Sequence, residues 1–333
     1  HALPWLAPLK EDAFPVKQAA LDMHPFSCQI RPMIRKFLIA LCASLLALVG
    51  LGHFAADAKR KADTPPARPA LWVLSDQDTT IYLFGTIHLL PKGLAWRSPK
   101  LEAAMAKSDT LVLEVAGLED REHTAAIMLK AAITPGLPPL VERVPADKRA
   151  KLETLANDAG VPLSALNAFE DWAAAITLAV GSLKDLGLDP NEGAEEQLRR
   201  TFAARGKPVQ GLETAEQQFG YFDHLSPAAQ QTLLISTIDE SSNAKTEFDR
   251  MLGAWKAGDE KKMALSFDDE LKLSPELFEV LLKKRNANWA QWIDDRMDKP
   301  GTLFIGVGAG HLAGPDSVQR MLKKRGFKVK RVQ

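Results

Sequence analysis

The chain contains very little cysteine and no excess of either charge. Its only two cysteines, Cys28 and Cys42, lie close to its beginning. A form that starts after residue 58 therefore contains no thiol, which excludes disulfides, cysteine-ligated zinc and thiol catalysis in that form. The formal net charge is +0 at pH 7. Because no basic excess attracts polyanions, we expect no nucleic-acid partner.

Several short catalytic signatures are also missing. The sequence has no His-Glu-x-x-His helix, no Gly-x-Ser-x-Gly nucleophile turn, no phosphate-binding loop and no dinucleotide-binding glycine motif. The glycine-rich stretch that ends at His311 lacks the lysine and the length of a phosphate loop. None of these short signatures therefore indicates the chemistry of the chain.

Residues 33–58 have the order of a secretory signal peptide. They begin with basic residues, continue with an almost wholly apolar run at 37–51, and end in a small-x-small cleavage pattern. This order predicts export to the periplasm, and the alternative is a retained segment that anchors the protein in the inner membrane. We expect residues 1–32 to be a non-native or untranslated upstream extension and the Pro-rich residues 59–70 to be a linker.

Residues 71–333 alternate between strand and helix patterns. A hairpin is predicted at 71–84, and residues 110–115 form a run that is apolar on both faces, as in a central parallel strand. Residues 119–297 carry helical periodicity, interrupted by one extended piece at 207–213. We predict a single α/β domain in which a mostly parallel central sheet carries a large helical insertion.

Two predicted strands end in the same pattern, Gly-x-x-His. An apolar strand runs into Gly85 and is followed by His88, and a second runs into Gly308 and is followed by His311. Ligands of open α/β sheets bind at the carboxyl ends of the strands. One Gly-x-x-His is common by chance, but two copies at matching strand ends indicate a candidate site.

Two carboxylates occupy comparable positions. Glu114 interrupts an apolar strand near its end, and Glu213 ends the extended piece. A buried carboxylate is costly unless a cation or a metal accompanies it. The alternatives are a salt bridge from Glu114 to Arg285, and a helix N-terminal role for Glu213. Two imidazoles with one or two carboxylates suit a divalent ion such as Mn, Co, Zn or Fe.

The helix before the last motif has a polar and aromatic face. Arg285, Asn288 and Trp289 recur there at three-to-four spacing. Such a face would suit contacts with a substrate or a carboxylate. The alternative is a structural Arg–Glu pair with Trp289 in the core.

Five motifs occur together in one order. They are Gly85-Thr-Ile-His88, Val112-Leu-Glu114, Gly211-Leu-Glu-Thr214 with Gln217, Arg285-Asn286 with Trp289, and Val307-Gly-Ala-Gly-His-Leu312 with Gly314. From about residue 71 to 332 the chain resembles the TraB/PrgY/GumN family, in its bacterial GumN-like branch. That family is related to the Tiki proteins, described as metal-dependent proteases that use two Gly-x-x-His motifs and a Glu. Its wider clan includes erythromycin-esterase-like (EreA-like) and haem-binding ChaN-like α/β proteins.

The resemblance implies a role for each motif residue. The implied metal ligands are His88, Glu114 and His311. The implied catalytic residues beside them are Glu213, Arg285 and Asn286. Trp289, on the polar and aromatic helix face, is the candidate substrate contact. On this basis we expect an exported, peptidase-like hydrolase that depends on a divalent metal and acts on a peptide or another small substrate.

Within that expectation Glu213 is a base or further ligand, and Arg285 stabilises developing negative charge. One alternative is a non-catalytic periplasmic protein that binds a peptide signal or takes part in envelope polysaccharide production. A third hypothesis, haem binding through a strand-end histidine, follows from the wider clan alone.

Overall fold

The computed structural model describes residues 67–118, 120–183, 186–271 and 274–333, with the side chains of 266–271 excepted. The predicted signal peptide and the upstream extension lie outside these residues, and so does most of the predicted linker. Among the helices of the described ranges, none combines the length and the apolar character needed to cross a bilayer.

A six-stranded sheet forms the centre of the fold, and it is mostly parallel, as predicted. The strands of the described residues are β1 (Leu71–Ser75), β2 (Thr79–Thr86), β3 (Leu90–Pro91), β4 (Thr110–Val115), β5 (Leu188–Asp189), β6 (Val209–Glu213), β7 (Gly301–Gly308) and β8 (Lys330–Arg331). The sheet order is β6-β4-β7-β2-β1-β8. β6, β4, β7 and β2 run parallel, whereas β1 pairs antiparallel with both β2 and β8. β3 and β5 pair separately.

Helices surround this sheet, and most of them lie between β4 and β7 in the chain. The α-helices of the described residues are α1 (Pro99–Lys107), α2 (Arg121–Ala132), α3 (Arg149–Ala159), α4 (Leu163–Leu166), α5 (Asp171–Ser182), α6 (Ala194–Ala204), α7 (Ala215–Asp223), α8 (Pro227–Glu240), α9 (Ala244–Ala257), α10 (Glu260–Leu271), α11 (Pro275–Phe278), α12 (Lys284–Met297) and α13 (Val318–Lys324). The large helical insertion predicted from periodicity is therefore present.

Burial on both faces explains why the central strands are continuous apolar runs in the sequence. Successive side chains of a strand point to opposite faces. In β4, Leu111 and Leu113 belong to one hydrophobic cluster, while Val112 between them belongs to the other. Phe304 and Ile305 of β7 divide in the same way. Each face is thus covered by its own core, as expected of a sheet that carries helices on both sides.

Candidate functional site

The carboxyl ends of the four parallel strands bring the predicted site residues to one edge of the sheet. Glu213 ends β6 and Glu114 is the last but one residue of β4. His311 lies in a short 3-10 turn directly after β7, and His88 follows the end of β2. Because these strands are neighbours in the sheet, their ends converge although the residues are far apart in sequence.

Arg285 lies between the two carboxylates and is only 1% exposed. Its Nη2 donates to Oε2 of Glu114 at 2.9 Å and to Oε2 of Glu213 at 2.8 Å, and its Nε donates to Oε1 of Glu213 at 2.9 Å. The salt bridge to Arg285 that the sequence left open for Glu114 is therefore present. A five-residue π-helical turn, Glu279–Lys283, precedes α12, and Nη1 of Arg285 donates to the carbonyl of Leu281 within it.

Glu114 is surrounded by donors and remains ionised. Its Oε1 accepts the backbone N–H of Gly308 at 2.6 Å, and its Oε2 also accepts from Gln218 at 3.3 Å. Burial alone would raise the pKa of Glu114, but Arg285, together with the two histidines and the N–H of Gly308, outweighs it, and the pKa falls to about 2. A carboxylate this acidic is unsuited to proton transfer near neutral pH, and it suits a permanent charge or a cation ligand.

Glu213 and Trp289 lie behind Arg285. The Trp289 indole donates to Oε1 of Glu213 at 2.9 Å, and Trp289 is 2% exposed. Burial raises the pKa of Glu213 and Arg285 opposes that rise. The structural Arg–Glu pair with Trp289 in the core, considered as an alternative above, is therefore observed. A base role for Glu213 and a substrate contact for Trp289 stay predictions.

His311 is held in one tautomer by Asn286. The amide nitrogen of Asn286 donates to the carbonyl of Asp316 at 2.8 Å, so its oxygen faces Nδ1 of His311 at 2.6 Å and accepts that N–H. Nε2 of His311 then carries a lone pair, 3.8 Å from Oε1 of Glu114 and 3.4 Å from Nη1 of Arg285. Burial, together with the charge of Arg285, lowers the pKa of His311 to about 3 against the opposing effect of Glu114, and the ring stays neutral.

His88 pairs with a carboxylate that sequence reasoning missed. Its Nδ1 lies 2.9 Å from Oε2 of Glu195 in the first turn of α6, and the hydroxyl of Thr86 donates to the other oxygen of Glu195. Nδ1 must carry a proton, because two lone pairs at this distance would repel each other. Burial would lower the pKa of His88, but Glu195 outweighs it and the pKa is raised.

The only sequence signal for Glu195 is the glycine two residues before it. An acidic residue in a first helical turn is ordinarily explained by the helix dipole, so the sequence around Glu195 does not indicate a functional role. A Cβ on Gly193 would lie 2.1 Å from the carbonyl oxygen of His88, and the N–H of Ala194 donates to the carbonyl of Ile87. The start of α6 therefore packs directly on the loop that carries His88.

The side chains of Glu114, His88 and His311 surround a small space beside Gly308. A Cβ added there would lie 3.0 Å from Oε1 of Glu114, 3.7 Å from Cδ2 of His311 and 4.0 Å from Nε2 of His88. Within the described part of the chain no three acidic, histidine or cysteine side chains already stand at metal-binding spacing. The chemistry of the donors nevertheless fits a divalent cation, because both imidazoles are fixed through Nδ1 and the carboxylate is ionised.

A cavity of about 220 Å³ opens onto His88 and Glu114. Its wall is partly apolar, and charged side chains of α2 and α6 lie on it. The remaining lining residues are Leu113, Val115, Ala116, Leu118, Arg121, Pro190, Asn191, Glu195, Glu196, Arg199, Val209 and Gln218. Of the strand-end residues, His88 and Glu114 are therefore accessible to a small ligand.

Comparison with known proteins gives one family and distant relatives. The model of the TraB/PrgY/gumN family matches residues 70–331. The uncharacterized protein YbaP of Escherichia coli (strain K12) is 24% identical over 255 residues, which cover 77% of this chain and 92% of YbaP. An uncharacterized protein of Treponema pallidum (strain Nichols) is 23% identical over 275 residues, covering 76% of this chain and 80% of the relative. No solved structure gives a significant match.

Proposed function

The chain belongs to the TraB/PrgY/gumN family, and from the geometry of its site we propose that it is a metal-dependent hydrolase acting on a peptide or another small amide. One observation carries the proposal. His88 and His311 flank the ionised Glu114 around the space beside Gly308, and each imidazole is held through its Nδ1. This arrangement leaves Nε2 of each imidazole and the carboxylate of Glu114 as the groups that would bind an ion.

The ligands of the ion would be His88, His311 and Glu114. A divalent ion bound there would lower the pKa of a water molecule and polarise a carbonyl group. Glu114 supplies the negative charge, since its pKa of about 2 keeps it ionised throughout the physiological range. His311 supplies a neutral ring at any physiological pH, because its pKa lies near 3.

The other residues of the site hold these ligands in place. Glu195 and Asn286 orient the two imidazoles through Nδ1, in the manner of the carboxylates and carbonyl groups that support histidine ligands. Glu213 and Trp289 hold Arg285 from behind, so that its guanidinium stays beside Glu114. A fixed positive charge at this position stabilises negative charge that develops on a substrate oxygen without further reorganisation.

Export is a second part of the proposal. It rests on the signal-peptide order of residues 33–58. Processing after residue 58 would leave the described residues as part of a periplasmic protein without cysteine. A fusion of residues 33–70 to a reporter that is active only in the periplasm tests this part, and a cytoplasmic reporter would disprove it.

Metal content tests the hydrolase proposal. We expect about one divalent ion per chain in the purified protein by elemental mass spectrometry, and its loss in His88→Ala and in His311→Ala. His123→Ala is the matched control, because His123 is an exposed residue of α2. The loaded protein should then cleave members of a peptide library. A wild-type protein that binds no ion even after reloading would disprove the proposal.

A further inference from the structure

The charges around the cavity that opens onto His88 and Glu114 are balanced pairwise, with one exception. Glu114 contacts Arg285, and Glu195 contacts His88. Across the cavity wall, Arg199 binds Glu196 with two hydrogen bonds of 2.8 and 2.7 Å. Arg121, which also lines the cavity, has no such partner within the part of the chain that the structure describes.

Arg121 is an exposed residue of the cavity, whereas the end of the cavity at Glu114 is buried. Arg121 is the first residue of α2, and Asp120 before it is already used as the helix cap, accepting the N–H of His123. Glu114 at the other end is only 5% exposed. The exposed lining residues mark the mouth of the cavity, and the buried ones mark its floor.

The two ends of the cavity differ in charge. The floor holds Glu114, which shares the buried cation Arg285 with Glu213 behind it, and Glu195, which contacts His88. A free carboxylate is attracted to the unpaired guanidinium at the mouth, whereas the charges on the floor are already paired with each other. This difference favours one direction in which an anionic ligand enters, with its carboxylate at the mouth.

We infer that Arg121 binds a carboxylate of the substrate, so that the substrate class is a short peptide or acyl amino acid with a carboxylate next to an apolar side chain. This inference rests on the proposed function, because it orients the amide toward His88 and Glu114. Arginine suits the role because its guanidinium binds a carboxylate through two parallel hydrogen bonds. The apolar wall residues Leu113, Val115 and Leu118 would contact the side chain beside the carboxylate.

Binding of matched probes to the metal-free protein tests the inference without any turnover. N-acetyl-leucine and N-acetyl-leucinamide differ only in the terminal carboxylate, and acetyl-glutamyl-leucinamide carries a side-chain carboxylate instead. We expect the wild type to bind at least one carboxylate probe about tenfold more tightly than N-acetyl-leucinamide, as measured by calorimetry. The probe that is preferred identifies whether a terminal or a side-chain carboxylate is recognised.

The variant series assigns the preference to Arg121. Arg121→Gln should lose the preference, and Arg121→Lys should retain part of it. Arg149→Gln is the matched control, because Arg149 is the exposed first residue of α3 and does not line the cavity. The inference would be overturned if the wild type bound the acid and the amide equally, or bound no probe more tightly than about 1 mM. It would also be overturned if the preference survived in Arg121→Gln. Because these measurements use no metal, they can succeed or fail independently of the hydrolase proposal.

Discussion

Nη2 of Arg285 and Oε2 of Glu114 lie 2.9 Å apart, and both side chains are almost completely buried. This bond joins the helix before the last parallel strand to a strand in the middle of the sheet. The same guanidinium binds Glu213, so one cation serves two buried carboxylates. The ionised state of Glu114 depends on this arrangement, because burial by itself raises the pKa of a carboxyl group.

Removing Arg285 should strongly destabilise the protein. Arg285→Met leaves Glu114 and Glu213 buried without their cation, and we expect the free energy of unfolding to fall by about 3–5 kcal/mol in urea titrations. Arg325→Met is the control, since Arg325 pairs with Asp294 on the surface. This substitution should lower the free energy of unfolding by less than about 1 kcal/mol. Adding Glu213→Gln to Arg285→Met should recover part of the loss. Equal effects of the two single variants would contradict this account.

Gly308 should tolerate no side chain if the space beside it holds a ligand. Gly308→Ala places a Cβ 3.0 Å from Oε1 of Glu114, and we expect affinity for a divalent ion to fall about tenfold or more while the fold persists. The φ of Gly308 is −49°, so alanine brings no backbone strain. Gly253→Ala is the control, since an added Cβ there meets nothing within 4 Å. Calorimetric metal titration of both variants measures the difference.

Glu195 should influence the affinity for a metal through His88. Glu195→Ala removes the carboxylate that contacts Nδ1 of His88, and we expect metal affinity to fall by about 10- to 100-fold. Glu195→Gln keeps an oxygen acceptor, so its affinity for the metal should fall less. Glu196→Gln removes the same charge one residue away, where the partner is Arg199. If Glu196→Gln weakens metal binding as much as Glu195→Ala does, the loss of affinity comes from the loss of one negative charge and not from the orientation of His88.

The stability of the metal-free protein should depend on pH through Glu114. The pKa of Glu114 is lowered from 4.5 to about 2 in the folded protein. Its contribution is therefore fully present above the unfolded value and is lost as pH falls toward 2. We expect the difference in unfolding free energy between wild type and Glu114→Gln to shrink steadily below pH 4.5. Denaturant titrations between pH 3 and 7 measure it, and a constant difference over that range would refute the ionised state assigned to Glu114.

Local patterns were sufficient to predict the architecture. β4 and β7 were recognisable because parallel strands buried on both faces are apolar throughout, and helical periodicity marked the insertion between them. The predicted strand ends also indicated that four residues would lie together, since the carboxyl ends of parallel strands share one edge. These residues are His88, Glu114, Glu213 and His311. The metal, the reaction and export stay predictions from these residues and from the family.

Pairings between distant side chains could not be predicted in the same way. The contact of Glu195 with His88 depends on where α6 packs, and a carboxylate in a first helical turn has an ordinary local explanation. The position of Arg121 on the cavity wall likewise depends on the packing of α2 against α7. For Arg285, both a functional and a structural role fitted the sequence, and the structure adds its shared bonds to Glu114 and Glu213.

The sequence by itself determined which elements form and which residues stand at the strand ends, because periodicity and glycine placement act over a few neighbouring residues. Only the tertiary structure decided which charges meet there and in which protonation state. Sheet order and helix packing set the distances between residues far apart in the chain, and those distances, together with burial, decide the pKa of Glu114 and the fixed orientation of His88 and His311.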